Sequence, residues 1–253
     1  LRLSTNIHSR LIAQNPTPHR HPLDPAEPWL NTLIFGAILA ALALSLSAAW
    51  RLADWGARTN GFPPRRILSG FYGYTTISIA ACQWMAAWAL TMRAPRSLDR
   101  LGVQRMFCDR GHAASLLRLL ASISFLILSL QLFGLIGDGL NPRFGGTRSR
   151  FLMELIELTI SLLLWSQLRQ IGRFLGHPIL AKRCLIIMVG MAATSGCFSL
   201  GPRFAALIHQ PLPLPRLFFS AGVTGEAFWQ MVGAALLFQF ARAFLSDLSR
   251  IGS

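Results

Sequence analysis

Residues 30–50, LNTLIFGAILAALALSLSAAW, run twenty-one positions without a charge. A helix needs about 20 predominantly apolar residues to cross roughly 30 Å of hydrocarbon. Five further apolar stretches reach or approach that length: Gly70 to Met92, Leu119 to Gly137, Phe151 to Leu168, Cys184 to Gly201 and Leu217 to Ala241. Backbone polar groups exposed to lipid must be satisfied within the segment or within a closed barrel. None of the stretches has the apolar/polar alternation of a barrel strand, so helices are expected. The fold class predicted is all-α, a polytopic transmembrane bundle of about six helices over residues 30–244 with short connections and no soluble domain. A polar, proline-rich tail over residues 1–29 precedes it, and a short tail over residues 245–253 follows.

The bulk composition fits that architecture, since 53% of the 253 residues are apolar and only 13% are charged. The formal charge of +14 does not point to nucleic acid, because the basic residues are spread over every connection and both tails; phosphate binding needs a continuous basic footprint. Lys182 is the one lysine beside 23 arginines, the bias expected of a GC-rich bacterial genome. Pro16, Pro18, Pro22, Pro25 and Pro28 disfavour a helix in the second half of the N-terminal tail, because each removes a backbone donor. That tail is expected to be extended and flexible. It is also long for the head of a cleaved signal, so residues 30–50 are expected to remain as a signal-anchor helix. Cys82, Cys108, Cys184 and Cys197 form no C-x-x-C pair and predict no disulfide framework.

Connections richer in Lys and Arg stay on the cytoplasmic side of a membrane. The N-terminal tail, the second and fourth connections, the C-terminal tail and Arg118 together carry 15 basic residues, against 9 for the alternate set. The bias predicts a bacterial inner-membrane protein with both termini cytoplasmic. In the second connection, Ser97 is placed to cap a basic amphipathic helix containing Leu98, Leu101, Met106 and Phe107, which would lie on the inner leaflet. Three outer connections each contain a Pro-Arg step, at Pro64, Pro142 and Pro202, a hint of related hairpins. Trp29, Trp50, Trp55, Tyr72 and Tyr74 cluster near span ends and read as interfacial anchors.

Three acids fall inside the apolar stretches. Glu154, Glu157 and Ser161 share one face of the fourth helix by i, i+3, i+7 spacing, and Glu226, Gln230 and Gly233 repeat the arrangement on the sixth. A charged side chain facing lipid is costly, so both faces should turn inward. In the predicted topology both helices enter from the outer side, which brings the carboxylates into one half of the bilayer. Glu154, Glu157, Ser161, Glu226 and Gln230 are therefore the candidate intramembrane polar site, with Gln83, Gln131 and Gln239 as further polar positions. The competing reading is structural: the helix dipole favours acids in the first turns, and Arg150 lies four residues before Glu154. For Glu226 the two readings depend on whether the sixth helix begins near Leu217 or near Thr224.

All six histidines lie outside the spans, so paired axial ligands for a haem are absent from the apolar stretches, and no metal or other cofactor is expected. Ser195-Gly196 has no histidine in the sixth span to serve as a base, and the fourth-helix glutamates have none in any later span, so no protease site is assembled. In the fifth span Gly190, Ala192, Ala193 and Gly196 form a small-residue face suited to close helix packing, within the bundle or against a partner or second copy. No motif is specific enough to name a family. Three functional classes follow in order: a non-catalytic membrane subunit or assembly factor, a small transporter or channel using the outer-leaflet glutamates, and an intramembrane enzyme acting on a lipid. The partner environment expected is the lipid bilayer, with a membrane-protein partner or a homo-oligomer, and no nucleic acid.

Overall fold

The structure is a computed structural model that describes residues 26–92, 111–132, 147–196 and 216–251. Among these residues the chain is helical without strands. The helices are α1 (Ala26–Thr59), α2 (Arg65–Leu90), α3 (Gly111–Leu132), α4 (Thr147–Phe174), α5 (Pro178–Thr194) and α6 (Arg216–Ile251). Each carries one of the apolar stretches, and each begins ahead of it. An apolar stretch marks the part of a helix that suits hydrocarbon, while the hydrogen-bonded ladder starts earlier and, in α1, α4 and α6, also runs on beyond it. The expected tail over residues 1–25, the basic segment after Ser97, the Pro142 and Pro202 steps, and Cys108 and Cys197 lie outside the described residues.

Three helices are long and apolar enough to cross a membrane, over Glu27–Thr59, His112–Leu130 and Ala221–Ser249. The other three differ for visible reasons. In α2, Thr75, Thr76, Ser78 and Gln83 dilute the apolar character, although the three hydroxyls each donate to the carbonyl four residues back, at 2.8 Å. In α4, Glu154, Glu157, Arg169 and Arg173 interrupt it. The described part of α5 is 17 residues, and the end of its apolar stretch lies beyond Gly196.

The surface is more apolar than that of a water-soluble bundle, and a few polar side chains are buried. Phe35, Ile38, Leu42 and Leu46 form an exposed stripe on α1, and Ile179, Ile186 and Val189 do the same on α5, whereas Gln167, Glu226 and Gln230 are buried. Apolar surface of this extent is what lipid covers and what water would aggregate.

Each helix packs against its neighbours in sequence, and α6 closes the ring onto α1. Leu33, Leu90, Leu117, Trp165, Leu168, Phe240 and Phe244 form the fully buried core. At the base of the bundle, α4 ends where Gly176 adopts φ of 79° and the His177 amide donates back to the Gly172 carbonyl at 2.7 Å, a left-handed cap. Pro178 then opens α5, in the first-turn position that needs no amide donor. Nε2 of His177 meets Asp247 of α6 at 2.9 Å. Across from it, Arg118 of α3 closes the end of α2: its Nε donates to the Thr91 hydroxyl at 2.6 Å, Nη2 donates to the Thr91 carbonyl, and the guanidinium lies 4.8 Å from the Trp88 ring. A cation there complements the negative end of the helix. Trp29 departs from the expected interfacial role. It is buried, its indole donating to the Met92 carbonyl at 3.3 Å and meeting Phe174 edge-on.

Candidate functional site

Helix α1 continues past Trp50 for more than two turns, so Arg51 is held inside the helix and not in a connection. Leu44, Ser47 and Arg51 stand at i, i+3 and i+7 on the α1 face turned toward α4 and α6. Nη1 of Arg51 donates to Oε2 of Glu226, and Nη2 lies 3.6 Å from Oε2 of Glu157. One guanidinium thus ties three helices together at a single level.

The helix boundaries decide how deep that level is. Helix α6 begins at Arg216, ten residues before Glu226, and α4 begins at Thr147, ten before Glu157. At 1.5 Å per residue both acids sit about 15 Å along their helices. The first-turn dipole account therefore does not reach Glu226, and Glu157 answers to Arg51 of another helix.

Around the ion pair is a cavity of about 30 Å³ lined from five helices, room for one or two water-sized occupants. All five predicted polar residues line it: Glu154, Glu157 and Ser161 from α4, with Glu226 and Gln230 from α6. Ser47 and Arg51 of α1, Gln83 of α2, and Met191 and Ser195 of α5 complete the polar wall and its rim. Glu226 is 4% exposed and Gln230 is 7% exposed. Oε1 of Gln230 is buried and has no hydrogen-bond partner among the described residues; an unsatisfied buried acceptor costs about 1–3 kcal/mol.

The floor is a close helix contact. A Cβ on Gly233 would stand 2.7 Å from the Trp165 ring and 3.1 Å from Leu44. Glycine there lets the fully buried indole of α4 pack closely against α6, one turn beyond Gln230.

The small-residue face of α5 is only partly used inside the bundle. A Cβ on Gly190 would lie 2.2 Å from the Trp229 ring of α6. Ala192 is half-buried, Ala193 is exposed, and among the described residues nothing stands within 4 Å of a Cβ at Gly196.

Sequence reasoning assigned Arg51 to the first connection, and so missed it as the partner of Glu226. The signal that was present is its spacing from Ser47 and Leu44, one polar face continuing out of an apolar helix. Among the described residues no group of three His, Cys, Asp or Glu side chains is arranged to hold a metal ion. Comparison of the chain with protein families, with curated proteins and with solved structures found no match. The geometry defines the class on its own: a helical bundle with lipid-suited faces and a buried ionic cavity.

Proposed function

We propose that this chain is a multi-pass protein of a bacterial inner membrane, with six spanning helices and both termini cytoplasmic, that moves protons or small cations through the carboxylate cavity. The observation that carries the reading is the convergence of Glu154, Glu157, Glu226 and Gln230 with Arg51 on one cavity deep in the bundle. A purely structural subunit gains little from such a cluster. Replacing a buried ion pair with packed apolar side chains is often neutral or stabilising, so retained buried charge in a membrane domain points to charge handling. The small volume favours a proton or a single small ion over an organic substrate.

Proteoliposome flux tests it. Wild type should carry a Glu226-dependent current or dissipate an imposed pH gradient, and Glu226→Gln should abolish the activity while the purified protein stays monodisperse. Equal flux in both would remove the carboxylate from the mechanism.

A second reading, a subunit or assembly factor, is favoured by the exposed Ala193 on α5, which turns part of the small-residue face away from the described helices and suits it to another helix. Mild-detergent purification from the native host distinguishes the two: a stoichiometric membrane partner supports the subunit role, and a chain that purifies alone supports transport.

A further inference from the structure

We propose that the base of the α4–α5 hairpin binds one anionic phospholipid, its phosphate on Arg169 and Arg183, with Arg173 and Lys182 beside it and its acyl chains along the exposed face of α5. The site is separate from the carboxylate cavity. Residues 158–194 contain these four cations and no acid. The acid that α6 brings to this end, Asp247, meets His177 at 2.9 Å, and Glu27 near the start of α1 makes no ion pair with the hairpin. Arg183 donates to a neutral acceptor, Oε1 of Gln239, at 2.6 Å. Among the described residues no ion pair engages any of the four.

Arg169 is the distinctive member. It is half-buried, and its Nε is shut away without a hydrogen-bond partner among the described residues. A guanidinium held this way is suited to an anion that its planar fork can clasp, and phosphate matches the fork. Arg169 lies five residues before the end of α4 at Phe174, and Arg183 lies five after the start of α5 at Pro178. Both stand about 7.5 Å in from the turn, and Arg169 acts electrostatically on Cys184, the chain neighbour of Arg183.

The apolar surface beside them makes the anion a lipid. Ile179, Lys182, Ile186 and Val189 share one exposed face of α5 by i, i+3, i+7, i+10 spacing. A cation set into an apolar stripe suits a charged headgroup with hydrocarbon attached, whereas free phosphate would use the cations alone. Basic pockets between helices on the cytoplasmic side hold anionic headgroups, and the predicted orientation puts this hairpin on that side.

The test is thermal unfolding of the detergent-purified full chain at constant ionic strength, titrated with phosphatidylglycerol, phosphatidylcholine or inorganic phosphate. A ligand of the folded state raises Tm with its saturation. Phosphatidylglycerol should give a saturating rise that the other two do not. Arg169→Gln combined with Arg183→Gln should move the half-saturating concentration upward by about tenfold or more. Arg173→Gln combined with Lys182→Gln alters only exposed side chains, so it keeps the test open if the first pair fails to fold, and it should shift the curve the same way. Arg58→Gln, at the far end of α1, should leave the curve in place. An equal response to phosphatidylcholine or inorganic phosphate, hairpin variants that overlie wild type, or an equal shift from Arg58→Gln would overturn the proposal. Glu226→Gln leaves the hairpin intact, so lipid binding and flux are scored separately and either can fail alone.

Discussion

Arg51 and Glu226, 175 positions apart in the chain, share a hydrogen bond between Nη1 and Oε2 in the middle of the bundle. The side chain of Arg51 is 26% exposed and that of Glu226 is 5% exposed. The pair fixes the antiparallel register of α1 and α6, with Leu44 meeting Gly233 two turns further along the same contact. Glu157 shares the guanidinium at longer range, which makes Arg51 the hub on which α1, α4 and α6 meet.

Removing the hub alone should be costly. Arg51→Met leaves Glu226 buried without its counter-ion, a change expected to cost about 3–5 kcal/mol. Arg51→Met combined with Glu226→Met removes both charges and should recover most of the loss. Unfolding in detergent, followed by tryptophan fluorescence, measures both. If the double variant is as unstable as the single one, the pair is not the stabilising unit described here. If it is stable yet transports nothing, structure and function at this cavity are separated in one experiment.

A second expectation concerns α5. Gly190 lies under the Trp229 ring, so Gly190→Ala must displace the indole, an overpacking cost of about 1–3 kcal/mol. Trp229→Phe removes Cζ2 and leaves a smaller ring that can move away from the new methyl group, and should restore part of the stability. Gly196→Ala meets nothing within 4 Å among the described residues and should change stability by less than about 0.5 kcal/mol. The Tm values of the three variants decide whether the small-residue face serves the bundle at Gly190 alone. A large effect at Gly196 would instead mark that end of α5 as a contact with a second chain.

The placement of the helices was legible in the sequence because an apolar stretch of membrane length leaves few alternatives. The shared faces of Glu154, Glu157 and Ser161, and of Glu226 and Gln230, were legible too, since helical spacing is local. What was not legible depended on where helices end. A charge just after an apolar stretch reads as an interface residue, and only the continuation of α1 to Thr59 turns Arg51 inward. The same holds at the start of α6: an Arg216 beginning makes Glu226 deep, whereas a Thr224 beginning would have made it superficial. The closure of α6 onto α1 joins the two ends of the chain, and no local pattern encodes such a contact. Trp29 illustrates the opposite error, an aromatic at a span end that packs inward because Phe174 and the Met92 carbonyl are there to receive it.

The direction in which the cavity opens follows from orientation. The sequence bias of 15 basic residues to 9 predicts both termini inside. Asn60, at the end of α1, is exposed and stands at the same end of the bundle as Glu154, while Ser249 is exposed near the far end of α6. Single cysteines at these positions, on a background with Cys82, Cys108, Cys184 and Cys197 replaced, report the orientation directly. A membrane-impermeant maleimide applied to intact spheroplasts should label Asn60→Cys and leave Ser249→Cys unlabelled until the membrane is opened. The reverse pattern would turn the bundle over and make the cavity cytoplasmic. Labelling of both before lysis would mean that the chain crosses the membrane an even number of times between Asn60 and Ser249, so that fewer than six of these helices span it.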